Sequence, residues 1–460
     1  MGYPLLDRLS PLPDTAPDRA AIRTLLREGA PKLVVLDDDP TGTQTVHGID
    51  VLSGWSQPDL AEELADPRSA FYILTNSRGL PAAEAIRVNR EVATNLQAAA
   101  RQTGQAYAVA SRSDSTLRGH FPAETDVWLE ALACDGLVLV PAFFEGGRYT
   151  VNNIHYVAEG DQLVPAAETE FARDATFGYR SSDLTAWIEE KTGGRIPARA
   201  VESFSIEFLR REGAAAVEKR LSALPRGTAV VVNAAAYGDL EIFTHGLLQA
   251  EKKGKRYLFR TAAGFVRVRA GIEPQPVLAA AALAGAGSGG LVLVGSYVGR
   301  TTQQLQSALV LPGVIGLELH VDALAVAAAA AAEVARTAAA ADAGLRSGAT
   351  VIVYTSRKLQ SELGQAGDIS VAQRVSAALV ATLQAIRQRP RFLIAKGGIT
   401  ASDLAVKGLG MRRGLVIGQA APGIPVWRVS EGPFPGLAYV VFPGNVGHAG
   451  SLRELLERLG

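Results

Sequence analysis

Residues 33–46 read Leu-Val-Val-Leu-Asp-Asp-Asp-Pro-Thr-Gly-Thr-Gln-Thr-Val, an apolar run that ends in three aspartates and a turn of small residues. The apolar part, Leu33–Leu36, predicts a buried strand. Three like charges at a strand end repel one another, so cations or hydrogen-bond donors must offset Asp37, Asp38 and Asp39. A strand that ends this way is typical of ligand sites in α/β proteins. An acidic surface turn is the alternative interpretation.

Short apolar runs of this kind alternate with amphipathic stretches along the chain, which predicts parallel βαβ units. Helices are expected at Ala82–Ala100 and Glu207–Ala223, and an alanine-rich one within residues 323–342. The other predicted strands are Phe71–Leu74, Tyr107–Ala110, Leu137–Val140, Ala229–Val232, Tyr257–Phe259, Leu291–Val294, Val314–Leu319, Val351–Tyr354, Phe392–Ile394, Leu415–Ile417 and Tyr439–Phe442.

Glycine and proline cluster between residues 270 and 290, which marks a domain boundary. A chain of 460 residues is also long enough for about two to three domains. The sequence therefore predicts two α/β domains with mainly parallel sheets, one in residues 1–275 and one in residues 285–460.

Composition limits the classes of function. Basic and acidic residues number 46 each, and the zero net charge argues against broad binding to nucleic acid or a membrane surface. Neither a signal peptide nor a transmembrane run is apparent, so a cytoplasmic protein is expected. The single cysteine, Cys134, forms no intrachain disulfide, and the six histidines show no metal-binding spacing, so no protein-built metal site is predicted.

Three more polar loops follow predicted strands in the first half of the chain. Residues 111–120, Ser-Arg-Ser-Asp-Ser-Thr-Leu-Arg-Gly-His, carry two arginines and four hydroxyl groups, residues 141–153 carry Arg148, and residues 75–78 carry Arg78. Arginine binds carboxylate or phosphate through paired N–H donors. Together with the aspartates, these strand ends predict a pocket for a small, hydroxylated, anionic ligand. A polar loop with an internal salt bridge is the alternative for residues 111–120.

Three glycine-rich turns follow predicted strands in the second half. They are residues 295–302, Gly-Ser-Tyr-Val-Gly-Arg-Thr-Thr, residues 396–403, Lys-Gly-Gly-Ile-Thr-Ala-Ser-Asp, and residues 443–447, Pro-Gly-Asn-Val-Gly. Such turns expose backbone N–H groups to phosphate. None has the P-loop pattern or the dinucleotide fingerprint, and each one alone is also compatible with an ordinary strand–helix connection.

In combination and order, these motifs resemble the four-carbon acid sugar kinase family over nearly the whole chain. The family motif D-D-x-T-G is matched by Asp38, Asp39, Thr41 and Gly42, K-x-D-S-T-L-R-G-N by residues 114–119, and P-A-F-P-E-x-G-R by Pro141–Phe143, Glu145, Gly147 and Arg148. Residues 295–296, 397–400 and 444–447 are similar to its ATP-binding segments. The departures are Arg112 for lysine, His120 for asparagine, Phe144 for proline and Phe442 for lysine.

The resemblance implies an N-terminal sugar-acid domain, a C-terminal nucleotide domain, and ligand sites at strand C-terminal ends and in the cleft between them. It implies phosphorylation of a terminal hydroxyl of a four-carbon acid sugar, such as threonate, erythronate or 3-oxo-tetronate, with ATP and Mg²⁺. Asp38 or Asp39 would accept the hydroxyl proton. The expected substrate-binding residues are Asp37, Thr41, Gly42, Arg78, Arg112, Asp114, Ser115, Thr116, Arg118 and Arg148. The expected ATP-binding residues are Ser296, Gly397, Gly398, Ile399, Thr400, Gly444, Asn445 and Gly447.

Two other functions stay open at this stage. A catalytically silent sugar-acid-binding or effector-like protein is favoured by Phe442 in place of the usual lysine. A Rossmann-type dehydrogenase is disfavoured because the glycine-rich turns lie in the second half and lack its fingerprint. A homodimer suits this architecture.

Overall fold

The computed structural model describes residues 3–356, 369–444 and 446–460. The chain forms two compact units, Met1–Pro274 and Gln275–Gly460. In the described residues no helix combines the length and the apolar character needed to cross a membrane.

The first unit combines an eight-stranded parallel sheet with a small antiparallel one. Its strands are β1 (Lys32–Asp37), β2 (Ile49–Leu52), β3 (Ala70–Leu74), β4 (Tyr107–Arg112), β5 (Gly136–Val140), β6 (Arg148–Val151), β7 (Ile154–Glu159), β8 (Gln162–Pro165), β9 (Glu202–Phe204), β10 (Thr228–Val232) and β11 (Tyr257–Thr261). Its helices are α1 (Ala16–Arg27), α2 (Gln57–Ala65), α3 (Ala82–Thr103), α4 (Ala123–Leu132), α5 (Leu184–Lys191), α6 (Ile206–Ala223), α7 (Tyr237–Lys252) and α8 (Ala263–Arg269). The large sheet has the order β2-β3-β1-β4-β11-β5-β10-β9.

The register of this sheet decides where the polar loops meet. Asp37, the last residue of β1, pairs with Leu74 of β3 on one side and with Arg112 of β4 on the other. Arg112 also pairs with Thr261 of β11. Because the strands are parallel, the loops that follow β1, β3 and β4 leave the sheet side by side.

The small sheet, β6-β7-β8, is antiparallel and was not predicted from the sequence. It begins at Arg148, inside the stretch that was interpreted as a polar loop. Its strands are only four to six residues long and are partly exposed, so their sequence shows no continuous apolar run.

The described residues of the second unit form a seven-stranded sheet. Its strands are β12 (Gly290–Val294), β13 (Val314–Leu319), β14 (Thr350–Thr355), β15 (Phe392–Lys396), β16 (Arg413–Ala421), β17 (Ile424–Val429) and β18 (Ala438–Phe442). Its helices are α9 (Ala280–Leu283), α10 (Gly299–Leu309), α11 (Ala327–Arg346), α12 (Ile369–Ala385), α13 (Gly398–Asp403) and α14 (Ser451–Leu459). The order is β13-β14-β12-β15-β18-β17-β16, parallel as far as β18 and antiparallel beyond it.

The register of the second sheet likewise aligns three turns. Val294, the last residue of β12, pairs with Lys396, which in turn pairs with Phe442 of β18. The glycine-rich turns after β12, β15 and β18 therefore start from one edge of the sheet. The α/β class and the mainly parallel sheets predicted from the sequence are confirmed.

Candidate functional site

The aspartate turn of the first unit is shaped by its own backbone. After β1 the chain enters a single 3₁₀ turn, Pro40–Thr43, and the Asp39 carboxylate caps it by accepting the Thr41 N–H at 2.9 Å. A Cβ at Gly42 would lie 2.0 Å from Asp37 Oδ1. Only glycine lets the turn pack against that carboxylate without a shift of the turn or of the carboxylate.

Asp37 is the innermost carboxylate. Its side chain is completely buried, and Arg112 Nη1 lies 2.9 Å from Oδ1, whereas Oδ2 has no hydrogen-bond partner. Burial raises the pKa of Asp37 to about 7, against the opposing effect of Arg112. Arg112 is itself almost fully buried and also donates to the Asp39 carbonyl oxygen at 3.3 Å. The pair is thus an internal support of the turn.

Asp38 and Asp39 share the guanidinium of Arg78. Arg78 Nη2 lies 2.7 Å from Asp39 Oδ2 and 3.5 Å from Asp38 Oδ1. Ser113 Oγ donates a short hydrogen bond to Asp38 Oδ2. Burial disfavours ionisation of Asp39, but Arg78 and Arg112 outweigh burial and lower its pKa. The Asp39 side chain is 20% exposed, compared with 3% for Asp38, so Asp39 is the ionised carboxylate that a ligand reaches more easily.

The loop after β4 adds a second acid–arginine cluster. Arg118 Nε donates to Asp114 Oδ2 at 2.6 Å, and Arg78 Nη1 lies 3.8 Å from Asp114 Oδ1. Burial works against the charge of Asp114, but Arg118 and Arg78 dominate and hold its pKa well below the usual range. Thr116 also donates to this carboxylate, and the Ser115 carbonyl faces His155. Arg78 thus joins Asp114 to the aspartate turn.

Arg148 differs from the other arginines of the site. Within the described residues, no carboxylate lies at ion-pair distance from it, and its Nε is buried without an acceptor. One terminal nitrogen donates to the Gly146 carbonyl, and the guanidinium lies 5.8 Å from the ring centre of Phe171. Burial lowers the pKa of Arg148. A partly buried guanidinium without a carboxylate partner is suited to a bound anion.

Two residues of this neighbourhood, Arg260 and Glu124, were missed by the sequence analysis. Arg260 Nη1 on β11 donates to Ser111 Oγ at 3.2 Å and lies 3.8 Å from Glu124 Oε2. His155 Nε2 on β7 lies 2.7 Å from the Ser115 carbonyl oxygen, and burial lowers the pKa of His155 to about 4. An arginine inside an apolar strand was a usable signal for Arg260, but nothing in the sequence pointed to Glu124.

In the second unit the three glycine-rich turns meet at Ser296. A Cβ at Gly444 would lie 2.8 Å from Ser296 Oγ, and one at Gly397 would lie 3.0 Å from Ser296 Cβ. Thr301 Oγ1 is 3.1 Å from Ser296 Oγ and 3.0 Å from the Gly444 carbonyl oxygen. A Cβ at Gly295 would lie 2.2 Å from Thr400 Oγ1. These approaches favour glycine, because an added side chain would force Ser296 or Thr400 to shift.

The remaining predicted ATP-binding residues surround this meeting point. Gly397 and Gly447 have φ of 118° and 82°, and Gly398 starts α13. Ile399 is 69% exposed, which is unusual for a side chain of this size. Asn445 lies outside the described residues. In the part of the chain that is described, no group of three or more His, Cys, Asp or Glu side chains could hold a metal ion.

Comparisons with known proteins agree on one family. A sugar-binding N-terminal domain model matches residues 33–269, and a nucleotide-binding C-terminal domain model matches residues 291–452. The chain is 28% identical over 288 residues to D-erythronate kinase of Heliobacterium modesticaldum, and 32% identical over 197 residues to D-threonate kinase of Bordetella bronchiseptica. It is 27% identical over 446 residues to 3-oxo-tetronate kinase of Methylobacterium radiotolerans.

The extent of these matches differs. They cover 60%, 41% and 92% of this chain, and 60%, 45% and 98% of the respective relatives, so the first two span less than two thirds of each kinase. Solved structures from Salmonella typhimurium LT2 and Haemophilus influenzae match with TM-scores of 0.67 and 0.63. At 18% and 20% identity, over 94% and 93% of this chain and 99% and 100% of the respective structures, they show a common fold.

Proposed function

Since this chain belongs to the four-carbon acid sugar kinase family, whose members are phosphotransferases with an alcohol acceptor, we propose that it phosphorylates a terminal hydroxyl of a small acid sugar. The proposed phosphoryl donor is ATP. The proposed acceptors are four-carbon acids such as threonate, erythronate and 3-oxo-tetronate, because the curated relatives are named for kinases of such acids.

The observation that carries this proposal is a continuous set of contacts from Arg148 to Asp39. Arg148 and Arg118 lie against the same Phe171 ring, at 5.8 and 5.1 Å from its centre. Arg118 contacts Asp114, Asp114 lies near Arg78, and Arg78 binds Asp39. A guanidinium without a carboxylate partner among the described residues and a partly exposed carboxylate thus belong to one cluster, as binding and activation of a hydroxy acid require.

In this mechanism the acceptor is held by its carboxylate. Arg148 has donors to spare for a bidentate contact with that group. The terminal hydroxyl then faces Asp39, which is ionised and accepts the hydroxyl proton as the oxygen attacks the γ-phosphate. Asp38 stays fixed by Ser113 and Arg78, and Asp37 by Arg112. Phosphoryl transfer depends mainly on such positioning and on charge neutralisation.

The nucleotide is assigned to the turns around Ser296. The glycines at 397 and 444 let their turns pack closely on Ser296, and α10 begins three residues further on. Exposed N–H groups at these turns would bind the phosphates. Mg²⁺ bound to those phosphates would neutralise charge during transfer.

The test is a screen of the purified protein with ATP and Mg²⁺ against four-carbon sugar acids and their oxo forms, with ADP release as the readout. Three- and five-carbon acids serve as controls for the length of the acceptor. Turnover on one four-carbon acid would support the proposal and identify the substrate. ATP binding without turnover on any acid would favour the silent binding protein, and absence of ATP binding would contradict the kinase altogether.

A further inference from the structure

Lys396 has an unusual environment for a lysine. It is the last residue of β15, and its side chain is completely buried. Its Nζ lies 2.5 Å from the carbonyl oxygen of Pro443, 3.3 Å from that of Gly444 and 3.8 Å from the ring centre of Phe442. The amine is therefore held against one of the turns that meet at Ser296.

No carboxylate of a described residue lies within ion-pair distance of this amine, although a buried ammonium normally requires one. The charged group that acts on it is Arg300 of α10, which has the same sign. Burial, helped by Arg300, lowers the pKa of Lys396 to about 6. Two carbonyl oxygens and an aromatic ring stabilise this amine, but none of them carries a full negative charge.

Two titratable groups on neighbouring elements contact other partners and not Lys396. Tyr439 on the paired strand donates to the Ala401 carbonyl oxygen, and Asp403 at the end of α13 contacts Ser376 and Lys407. The other neighbouring strand, β12, carries no titratable residue. Among the described residues no carboxylate is placed to neutralise Lys396, and a bound anion is suited to this role.

We propose that Lys396 is the internal cation of the nucleotide site, and that its amine takes up a proton from solvent when a polyphosphate binds at the three turns. The ammonium then balances phosphate charge next to Gly444. This inference rests on the proposed function, and it adds a proton-coupled step to nucleotide binding. An anion favours the charged form of a buried lysine, so binding and protonation reinforce each other.

The test is calorimetric titration of ADP into the full-length protein at pH 7, in two buffers of different ionisation enthalpy. With a pKa of about 6, the free amine is mostly neutral, so the wild-type protein takes up close to one proton, about 0.9 at most, per ADP bound. In Lys396→Met we expect this uptake to vanish and ADP affinity to fall at least tenfold, with adenosine affinity unchanged. Lys407→Met is the control, because Lys407 is 66% exposed and paired with Asp403.

A second measurement needs no variant. Above pH 7, wild-type affinity for ADP falls nearly tenfold per pH unit, because each binding event must then extract a proton from a more alkaline solution, whereas affinity for adenosine stays constant. ADP binding that involves no proton uptake and does not change with pH would overturn the proposed role of Lys396 but not the nucleotide site. A wild-type protein that does not bind ADP would overturn the nucleotide site itself.

Discussion

At the level of single residues, most charged side chains of the candidate site form ion pairs with one another, and one arginine does not. Asp37 pairs with Arg112, Arg78 bridges the acids on either side of it, and Arg148 has no carboxylate partner within the described residues. A buried ion pair contributes little net stability, so such a cluster is better explained by the ligand that it binds.

The first prediction at this scale concerns the proton acceptor. In Asp39→Asn we expect kcat to fall about 100-fold or more, since a general base typically contributes 10²–10⁴-fold, while ATP binding persists. Steady-state kinetics and ATP-binding calorimetry measure the two quantities. Asp161→Asn, which changes an exposed turn residue, is the control. Full activity in both Asp38→Asn and Asp39→Asn would remove the aspartates from the reaction.

The second prediction concerns the turn itself. Gly42→Ala places a Cβ 2.0 Å from Asp37 Oδ1, so the turn or the carboxylate must move. We expect the free energy of unfolding in urea to decrease by about 1–3 kcal/mol, which is typical of overpacking. Gly54→Ala is the matched control because a Cβ at Gly54 meets no atom within 4 Å. Equal stability of the two variants would contradict the close packing of Gly42.

At the scale of elements, two features bring distant residues together. Parallel register aligns the loops after β1, β3 and β4. The β6-β7 hairpin then carries Arg148 and His155, on opposite strands of the hairpin, to the loop after β4. Thr150 Oγ1 lies 3.0 Å from His155 Nδ1, so both ring nitrogens of this buried histidine have partners within the cluster.

The hairpin leads to a prediction about acid stability. His155 has a folded-state pKa of about 4, below the usual value of about 6.5. Between these values the unfolded chain binds a proton that the folded protein does not, so stability decreases as the pH falls from 6.5 to 4. The full effect is roughly 3 kcal/mol. Urea unfolding of His155→Gln should lack this part of the pH dependence.

The control for this experiment is His448→Gln, which changes an exposed histidine. It should retain the wild-type decrease in stability between pH 6.5 and 4. If His155→Gln and the wild-type protein lost stability in parallel, the proton would have to be bound by another group.

At the scale of the whole molecule, the two units carry different chemistry. The first unit presents arginines and aspartates, which suit a carboxylate and a hydroxyl group. The second presents glycine-rich turns, which suit phosphate. If each unit binds its own ligand, a substitution in one unit should change KM for the acid sugar or KM for ATP, but not both.

The prediction at this scale uses one variant for each unit. Arg148→Gln should raise KM for the acid sugar about 10–100-fold, the value of a charge-assisted hydrogen bond, and leave KM for ATP unchanged. Ser296→Ala should raise KM for ATP by roughly 2–10-fold and leave the acid unaffected. Arg180→Gln, at a side chain 91% exposed, should change neither constant. A common effect of both variants on both constants would contradict separate sites.

The alternation of strands and helices and the types of residue at the strand ends could be read from the sequence alone, and a domain boundary is predicted from it between residues 275 and 285. These features are local, because an apolar run or a glycine–proline cluster has the same meaning wherever the strand lies in the sheet. The family could be predicted for the same reason: its motifs are short and occur in a fixed order. The short antiparallel strands could not, because they lack a continuous apolar run.

Which of these charges are paired depends on the tertiary structure. In the sequence, Arg78, Arg112 and Arg148 are equivalent candidates for an anion, yet the sheet register and the β6-β7 hairpin leave only Arg148 without a carboxylate in the described chain. Likewise, the sequence shows Lys396 only as the first residue of a glycine-rich motif. The pairing of its strand with β18 places its amine against the ring of Phe442. Pairing and burial depend on neighbours that are distant in the chain, and therefore on the fold.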